Sequence, residues 1–357
     1  MQLFALGLAL LGLAGSIRAS TIHYSTETGY FLQDETSTDA STFDYTAHNF
    51  GLINRTYPAD RDLQSANSQT QWERFYHQVQ KLNQGSPKNV EYKVLFLGRH
   101  GEGWHNAAES YYGTPAWNCY WAELNGNDTV TWHDASLTKA GETQALRAHT
   151  FWQSQITAQR IHTPDLYFVS PLTRTLQTAN LTFTGLRLPK GSQPFHPLVK
   201  ELFREGISIH TCDHRRRRSY IHTLFPDWPF EAGFNDDDEL WNGVTAETSN
   251  AQDIRSRRVL GDIFFASSKA KAFVSVTSHS GEIASLLRVL GHREFKMSTG
   301  AVIPVLVRAE RKEGESLSSS AVWTVSPHCT APPVASTGSC ICSASATPVT
   351  TLLVTGA

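Results

Sequence analysis

Arg99-His100-Gly101 follows the apolar run Val94-Leu95-Phe96-Leu97, with only Gly98 between. At the end of a buried strand, that tripeptide puts an imidazole beside a permanent positive charge, on a backbone that can approach a ligand closely. An imidazole with a free ring nitrogen can attack an anionic phosphorus. Three letters do not fix a function, but other apolar runs end in the same kind of residue. Residues 166–169 lead into Ser170-Pro171-Leu172-Thr173-Arg174, and residues 273–276 into Ser278-His279-Ser280-Gly281-Glu282. Between these two lies an acidic segment with Glu201 and Glu205.

Phosphoryl chemistry sets definite requirements. A phosphomonoester dianion needs cations that stay charged and match its oxygens. Arginine does both, with a fork that binds two oxygens at once, and Arg99 and Arg174 are the candidates. Helix starts after Ser170 and Ser280 would add aligned backbone N–H donors. His279 can donate to a phosphoryl oxygen and stabilise the charge of the transition state. His100 would be the in-line nucleophile, and neighbouring arginines penalise its imidazolium form. The leaving alkoxide needs a proton from a carboxylic acid held beside the phosphate. Water then hydrolyses the phosphohistidine. The scheme calls for no cofactor and no metal. Cys119, Cys212, Cys329, Cys340 and Cys342 make no metal-binding pattern with histidine, and an odd number leaves at least one unpaired or intermolecular.

Secondary structure must bring these residues together. Residues 94–97 are a continuous apolar run, the pattern of a strand covered on both faces, and residues 166–169 and 273–276 read as further strands. Residues 138–156 and 251–266 read as helices. So do residues 281–290, with Ile283, Leu286, Leu287 and Leu290 on one face and Gly291 closing them. Ser170 and Pro171 read as the N-cap and first turn of another helix. Trp72, Phe75, Tyr76 and Val79 mark a helix over residues 72–82 that packs on the main domain. Residues 302–307 are a last strand, which Pro304 places at an edge or a bulge. The alternation predicts an α/β fold, a three-layer α/β/α sandwich with a mostly parallel central sheet. Ligands of such sheets bind outside the carboxyl ends of the strands, where the three motifs lie.

Arg99-His100-Gly101-Glu102 with Asn106, the segment 170–179 (SPLTRTLQTA) and Ser278-His279-Ser280-Gly281 together resemble the histidine phosphatase superfamily, in its phosphoglycerate mutase-like branch. The resemblance spans roughly residues 92–307, with the motifs in the family's order. The longer pieces 96–106 (FLGRHGEGWHN), Arg204-Glu205-Gly206 and His210-Thr211-Cys212-Asp213 are similar to the fungal phosphomutase-like subgroup. The resemblance implies that His100 is phosphorylated, that Arg99, Arg174 and His279 complete the phosphate pocket, that Asn106 helps bind the phosphoryl oxygens, and that Glu205 rather than Glu201 is the proton donor. It also disfavours a phytase: nothing like Arg-x-Pro follows Gly101, and His279 is followed by Ser280 rather than Asp.

The remaining residues bound the setting. The chain has 357 residues, 40% hydrophobic and 18% charged, with a formal net charge of −2. That suits one large domain with appendages and gives no reason to expect nucleic acid or a membrane as partner. Residues 1–19 read as a secretory signal, although no Lys or Arg precedes the apolar run 3–13 and Ile17 is large for a cleavage site. Sequons at Asn54, Asn127 and Asn180 agree with secretion. Residues 20–89 read as an extension packing on the core, 90–312 as the main domain, and 313–357 as a Ser/Thr/Pro-rich disordered tail. The basic run Arg215 to Arg218 and the acidic run Asp236 to Glu239 read as solvated, with one arginine a candidate for a second anionic group. The aromatic insertion around Tyr111-Tyr112 and residues 117–121 reads as core packing, and His105 as structural or substrate-adjacent. The functional expectation is a secreted, metal-independent phosphomonoesterase acting on small phosphate esters. Its rivals are a phosphoglycerate mutase with the same residues and a non-catalytic phospho-ligand binder on the same fold.

Overall fold

In the computed structural model, which describes residues 20–63, 68–314 and 320–332, the apolar runs become neighbouring strands of one sheet. The expected leader, most of the expected tail, Cys340 and Cys342 lie outside the described residues. In chain order the elements are β1 (Ser20–Thr26), α1 (Gln71–Gly85), β2 (Val90–Arg99), α2 (Trp104–Tyr112), α3 (Thr114–Cys119), α4 (Lys139–Ser154), β3 (Leu166–Val169), α5 (Thr173–Phe183), β4 (Leu198–Val199), α6 (Arg218–Leu224), β5 (Thr245–Glu247), α7 (Ser249–Gly261), β6 (Phe273–Ser278), α8 (Ser280–Val289), β7 (Val302–Glu313) and β8 (Trp323–Val325). The main sheet runs β1-β7-β2-β6-β3-β4. The pairs β2/β6, β6/β3 and β3/β4 are parallel, while β7 lies antiparallel to β2 and to β1.

Alternation along β2 explains the layers. Val94 and Phe96 point to one face, where they meet Trp72, Phe75 and Val79 of α1 and Phe151 and Trp152 of α4. Leu95 and Leu97 point to the other face, against Val259 and Leu260 of α7 and Ile283, Leu286 and Leu287 of α8. Trp72, Phe75 and Val79 are fully buried, each contributing about 1.5–3 kcal/mol by area. Reciprocal bonds between Thr70 and Glu73 cap α1, so that its apolar face is fixed against the sheet from its first turn.

Long-range pairing moves three sequence-level boundaries. The N-terminal extension does more than pack on the core, because β1 adds a strand beside β7 over Ser20–Thr26. Strand β7 is not an edge strand. Its partner β1 reaches only Val307, however, so Pro304 pairs with β2 alone, on the Phe96 side, and no ladder bond is lost on the other. The segment 320–332 is structured where a tail was expected: β8 pairs with β5. Cys119 and Cys329 are both disulfide-bonded, and the Cys329 N–H donates to the Cys119 carbonyl at 2.7 Å. Cys212 is the free, buried thiol among the described cysteines.

Candidate active site

His100, Ser170, Lys200 and His279 each follow one of the four parallel strands, so the motifs converge at the carboxyl ends as the alternation requires. His100 is 1% exposed, and its ring centroid lies 5.1 Å from that of His279 and 5.3 Å from that of His105. Its Nδ1 lies 2.6 Å from the Gly101 carbonyl oxygen. A carbonyl can only accept, so Nδ1 carries the proton and Nε2 keeps its lone pair. Burial pushes this imidazole well below its ordinary value, and the charges of Arg174 and Arg99 push the same way. The result is a neutral ring with one nucleophilic nitrogen.

Gly101 is used differently from the sequence expectation. A Cβ there would sit 2.3 Å from the Gly141 carbonyl oxygen, so the close approach is to the start of α4 rather than to a ligand. The Gly101 N–H donates to Thr178 Oγ1 of α5, and Thr138, the N-cap of α4, donates to Glu102 Oε1 at 2.6 Å. The loop after β2 is thereby clamped between two helices.

The two arginines are anchored from behind by carbonyls. Arg99 Nη1 donates to Met297 O at 2.7 Å. Arg174 is 1% exposed; its Nη1 donates to Cys212 O at 2.8 Å, and its Nη2 lies 3.7 Å from the Asp213 carboxylate. The Nε of each arginine, Nδ1 of His105 and Nδ1 of His279 are buried without a protein partner. His279 Nε2 meets Ser170 Oγ at 2.7 Å. His279 is held neutral mainly by burial and then by Arg174. Asn106 Oδ1 accepts from the Gly103 N–H at 3.0 Å, which leaves its Nδ2 for a ligand.

Neither expected helix N-terminus is open to an anion. Ser170 does not cap a helix: α5 begins at Thr173. Asp134, reaching in from a distant loop, accepts from Thr173 N at 2.8 Å and Thr173 Oγ1 at 2.7 Å. The start of α8 is filled by Glu205, whose carboxylate accepts from Gly281 N at 3.1 Å and Glu282 N at 3.0 Å. Charge for a phosphoryl group therefore comes from side chains, because the backbone N–H groups at both helix starts are taken by the protein's own Asp134 and Glu205.

The structure separates the two candidate acids. Glu201 accepts from Arg204 Nη1 at 3.0 Å and from Arg215 Nε at 2.7 Å, both of them buried arginines. Glu205 instead sits at the α8 start beside His279, within the field felt by Arg99. Arg255 of α7 fixes this segment by donating to the carbonyls of Leu202, Arg204 and Glu205. Next to Glu205, the buried Glu282 has its carboxyl pushed up to about 8 by burial, with Arg255 opposing.

Two charge runs are not simply solvated. Arg215 is 2% exposed and spends its guanidinium on Glu201 and four backbone carbonyls. Asp238 is buried and takes Arg204 in a two-point clasp, 2.7 Å at each oxygen. Arg216 lies 3.9 Å from Asp134 and over the Tyr220 ring. The aromatic insertion packs as a core of its own, with Trp117 and Trp132 buried against Cys212. Donor atoms of His210, Cys212 and Asp213 lie within 4.8 Å of one another, a grouping that spacing did not suggest. Burial pushes the Cys212 thiol well up, and Arg174 already faces Asp213, so the trio suits an arginine better than a metal cation.

The histidine phosphatase superfamily (branch 1) matches residues 95–299, more than half of the chain. The chain belongs to the histidine phosphatase superfamily. Among relatives in that superfamily, the chain is 46% identical over 310 residues to a "Probable phosphoglycerate mutase" of Arthroderma benhamiae, covering 87% of this chain and 91% of that one. It is 38% identical to "Phosphomutase-like protein 3" of Candida albicans over 321 residues, covering 88% and 89%. A solved mycobacterial glucosyl-3-phosphoglycerate phosphatase is 17% identical, with a TM-score of 0.35 over 59% of this chain and 89% of that one. The superfamily motifs picked out of the sequence, His100, Arg99, Arg174, His279 and Glu205, occupy one end of the sheet. Asp134 and Arg255, which buttress them together with Asp213 and Glu282, carried no sequence signal beyond their charge.

Proposed function

We propose that the protein is a secreted, metal-independent phosphomonoesterase acting through a phosphohistidine on His100. The observation that carries the reading is the neutral imidazole of His100, proton on Nδ1 and lone pair on Nε2, kept neutral by burial and then by the charges of Arg174 and Arg99. His100 Nε2 attacks phosphorus in line while the bond from phosphorus to the ester oxygen breaks. Arg99, Arg174 and His279 stabilise the oxygens, and Glu205 protonates the departing oxygen. Water then attacks the phosphohistidine, giving its proton to Glu205 and releasing inorganic phosphate. The substrates are small phosphate esters.

The name of the 46% identical relative favours a second reading, phosphoryl return to a phosphoglycerate acceptor. The same residues would serve it. Purified protein with EDTA, p-nitrophenyl phosphate and a panel of alkyl and sugar phosphates separates the two. Release of inorganic phosphate that His100→Ala abolishes supports hydrolysis. Isomerised phosphoglycerate without phosphate release supports the mutase. No reaction on any ester leaves a phospho-ligand binder. For secretion, N-terminal sequencing of the protein from culture medium should begin near Ser20; an intact Met1 would remove the leader.

A further inference from the structure

The phosphoryl-transfer scheme makes no use of His105, yet its placement is closely controlled. It is the second residue of α2, it is buried, and its ring stands 5.3 Å from that of His100, almost the distance at which His279 stands on β6's side. The two rings tilt to His100 by 53° and 61°. Gly103 accounts for the seating. Its backbone is extended, φ −104° and ψ 164°, which any residue can adopt, so no conformational need calls for glycine there. A Cβ at that position would instead lie 2.7 Å from His105 Nδ1 and 2.8 Å from Cε1. The glycine lets the Nδ1–Cε1 edge of the ring lie on the loop, and Asn106 locks the loop through the Gly103 N–H. Nδ1 is buried without a partner, which leaves Nε2 as the ring's other nitrogen to carry a proton to a ligand. Burial and then Arg174 keep the ring neutral, as they do His279.

In-line attack by His100 leaves three phosphoryl oxygens arrayed around the attack axis, where the transition-state charge resides. Two neutral imidazoles at matched distances from the nucleophile suit two of them. We infer that His105 is a further catalytic residue, donating a hydrogen bond from Nε2 to a phosphoryl oxygen as the counterpart of His279. The inference rests on the phosphoryl-transfer reading for its catalytic arm only, because anion binding tests it independently.

The test compares His105→Phe and His105→Leu, which fill the site without an N–H, with His105→Gln, which restores a neutral donor. The readouts are kcat/KM on p-nitrophenyl phosphate, the dissociation constant for vanadate, and the melting temperature of each variant. Phe and Leu should lower kcat/KM by about 10²-fold and weaken vanadate by about tenfold, with Gln recovering most of both losses. Phe or Leu variants within about twofold of wild type on both readouts, or a Gln variant as impaired as they are, would overturn the inference and leave His105 as packing. Should the wild type bind vanadate but turn over no ester, the hydrolase reading fails and the vanadate comparison still decides His105. A wild type that binds neither vanadate nor inorganic phosphate overturns both.

Discussion

Removing the Asp134 carboxylate should loosen α5 and, with it, Arg174, the proposed phosphate-binding arginine. Asp134 is 2% exposed and reaches Thr173, the residue before Arg174, through N at 2.8 Å and Oγ1 at 2.7 Å. Loss of a helix cap costs about 1 kcal/mol, and leaving a buried donor unpaired costs about 1–3 kcal/mol more. Asp134 also sits at φ 43°, a left-handed conformation that Asp and Asn tolerate better than Ala. Asp134→Ala should therefore lose about 2–4 kcal/mol. At about 2 cal/mol/K of unfolding entropy per residue, that is about 3–5 °C in melting temperature for a chain of this length. Asp134→Asn keeps one acceptor and the left-handed tolerance, losing chiefly the charge at the helix start, about 0.3–1 kcal/mol. Differential scanning fluorimetry measures both variants, and vanadate affinity reports on Arg174, with about a tenfold loss expected for Ala. Equal melting of the Ala and Asn variants, or an Ala variant that melts with wild type, would refute the reasoning.

The other predictions concern protons. His100, His105 and His279 are all held below the ordinary histidine value, so the acid limb of kcat/KM should fall well below pH 6.5; a midpoint at 6.5 would contradict the buried neutral ring. Their depressed values mean that stability is full above pH 6.5 and is lost as pH falls below it, by up to about 1.4 kcal/mol per pH unit for each ring. Glu282, raised to about 8, acts in the opposite direction between pH 4.5 and 8. Between pH 4.5 and 6.5 these four groups together should give a net loss of up to about 3 kcal/mol per unit as pH falls, measurable by urea unfolding. Glu205→Gln should slow alkyl phosphates by about 10²–10⁴-fold and p-nitrophenyl phosphate far less, because nitrophenolate leaves without a proton; equal losses on both would exclude Glu205 as the acid. Glu201→Gln should leave that ester ratio unchanged and cost about 1.5–3 kcal/mol of stability, since the buried Arg204 and Arg215 each lose a charged partner but keep their other acceptors.

What the sequence disclosed was the part written in contiguous residues. An apolar run followed by Arg99-His100-Gly101 carries both its strand and its chemistry in one stretch, and the same holds at Ser278-His279. Helix α8 was readable because Ile283, Leu286 and Leu287 repeat at helical spacing. Features set by distant partners were hidden. The cap of α5 comes from Asp134, 39 residues upstream of Thr173, so Ser170 looked like the cap until its hydroxyl was found on His279. Glu205 fills the start of α8 across a separation of 76 residues from Gly281. Asp238 lay in an acidic run that resembled solvent-facing sequence, yet Arg204 buries it. Strands β1 and β8 pair with segments far along the chain: in β1 only Ile22 and Tyr24 alternate with polar neighbours, and β8 has three residues, too little pattern to announce either.

The proposed chemistry turns on a covalent bond to His100 Nε2. Rapid acid-free quenching of the protein during turnover of a phosphate ester, followed by peptide mass spectrometry, tests it most directly. A phosphoryl group on the peptide containing His100, labile to acid, stable to base and absent from His100→Ala, is the expected result. Continued turnover with no phosphorylated His100, or with the label on another residue, would contradict the central claim.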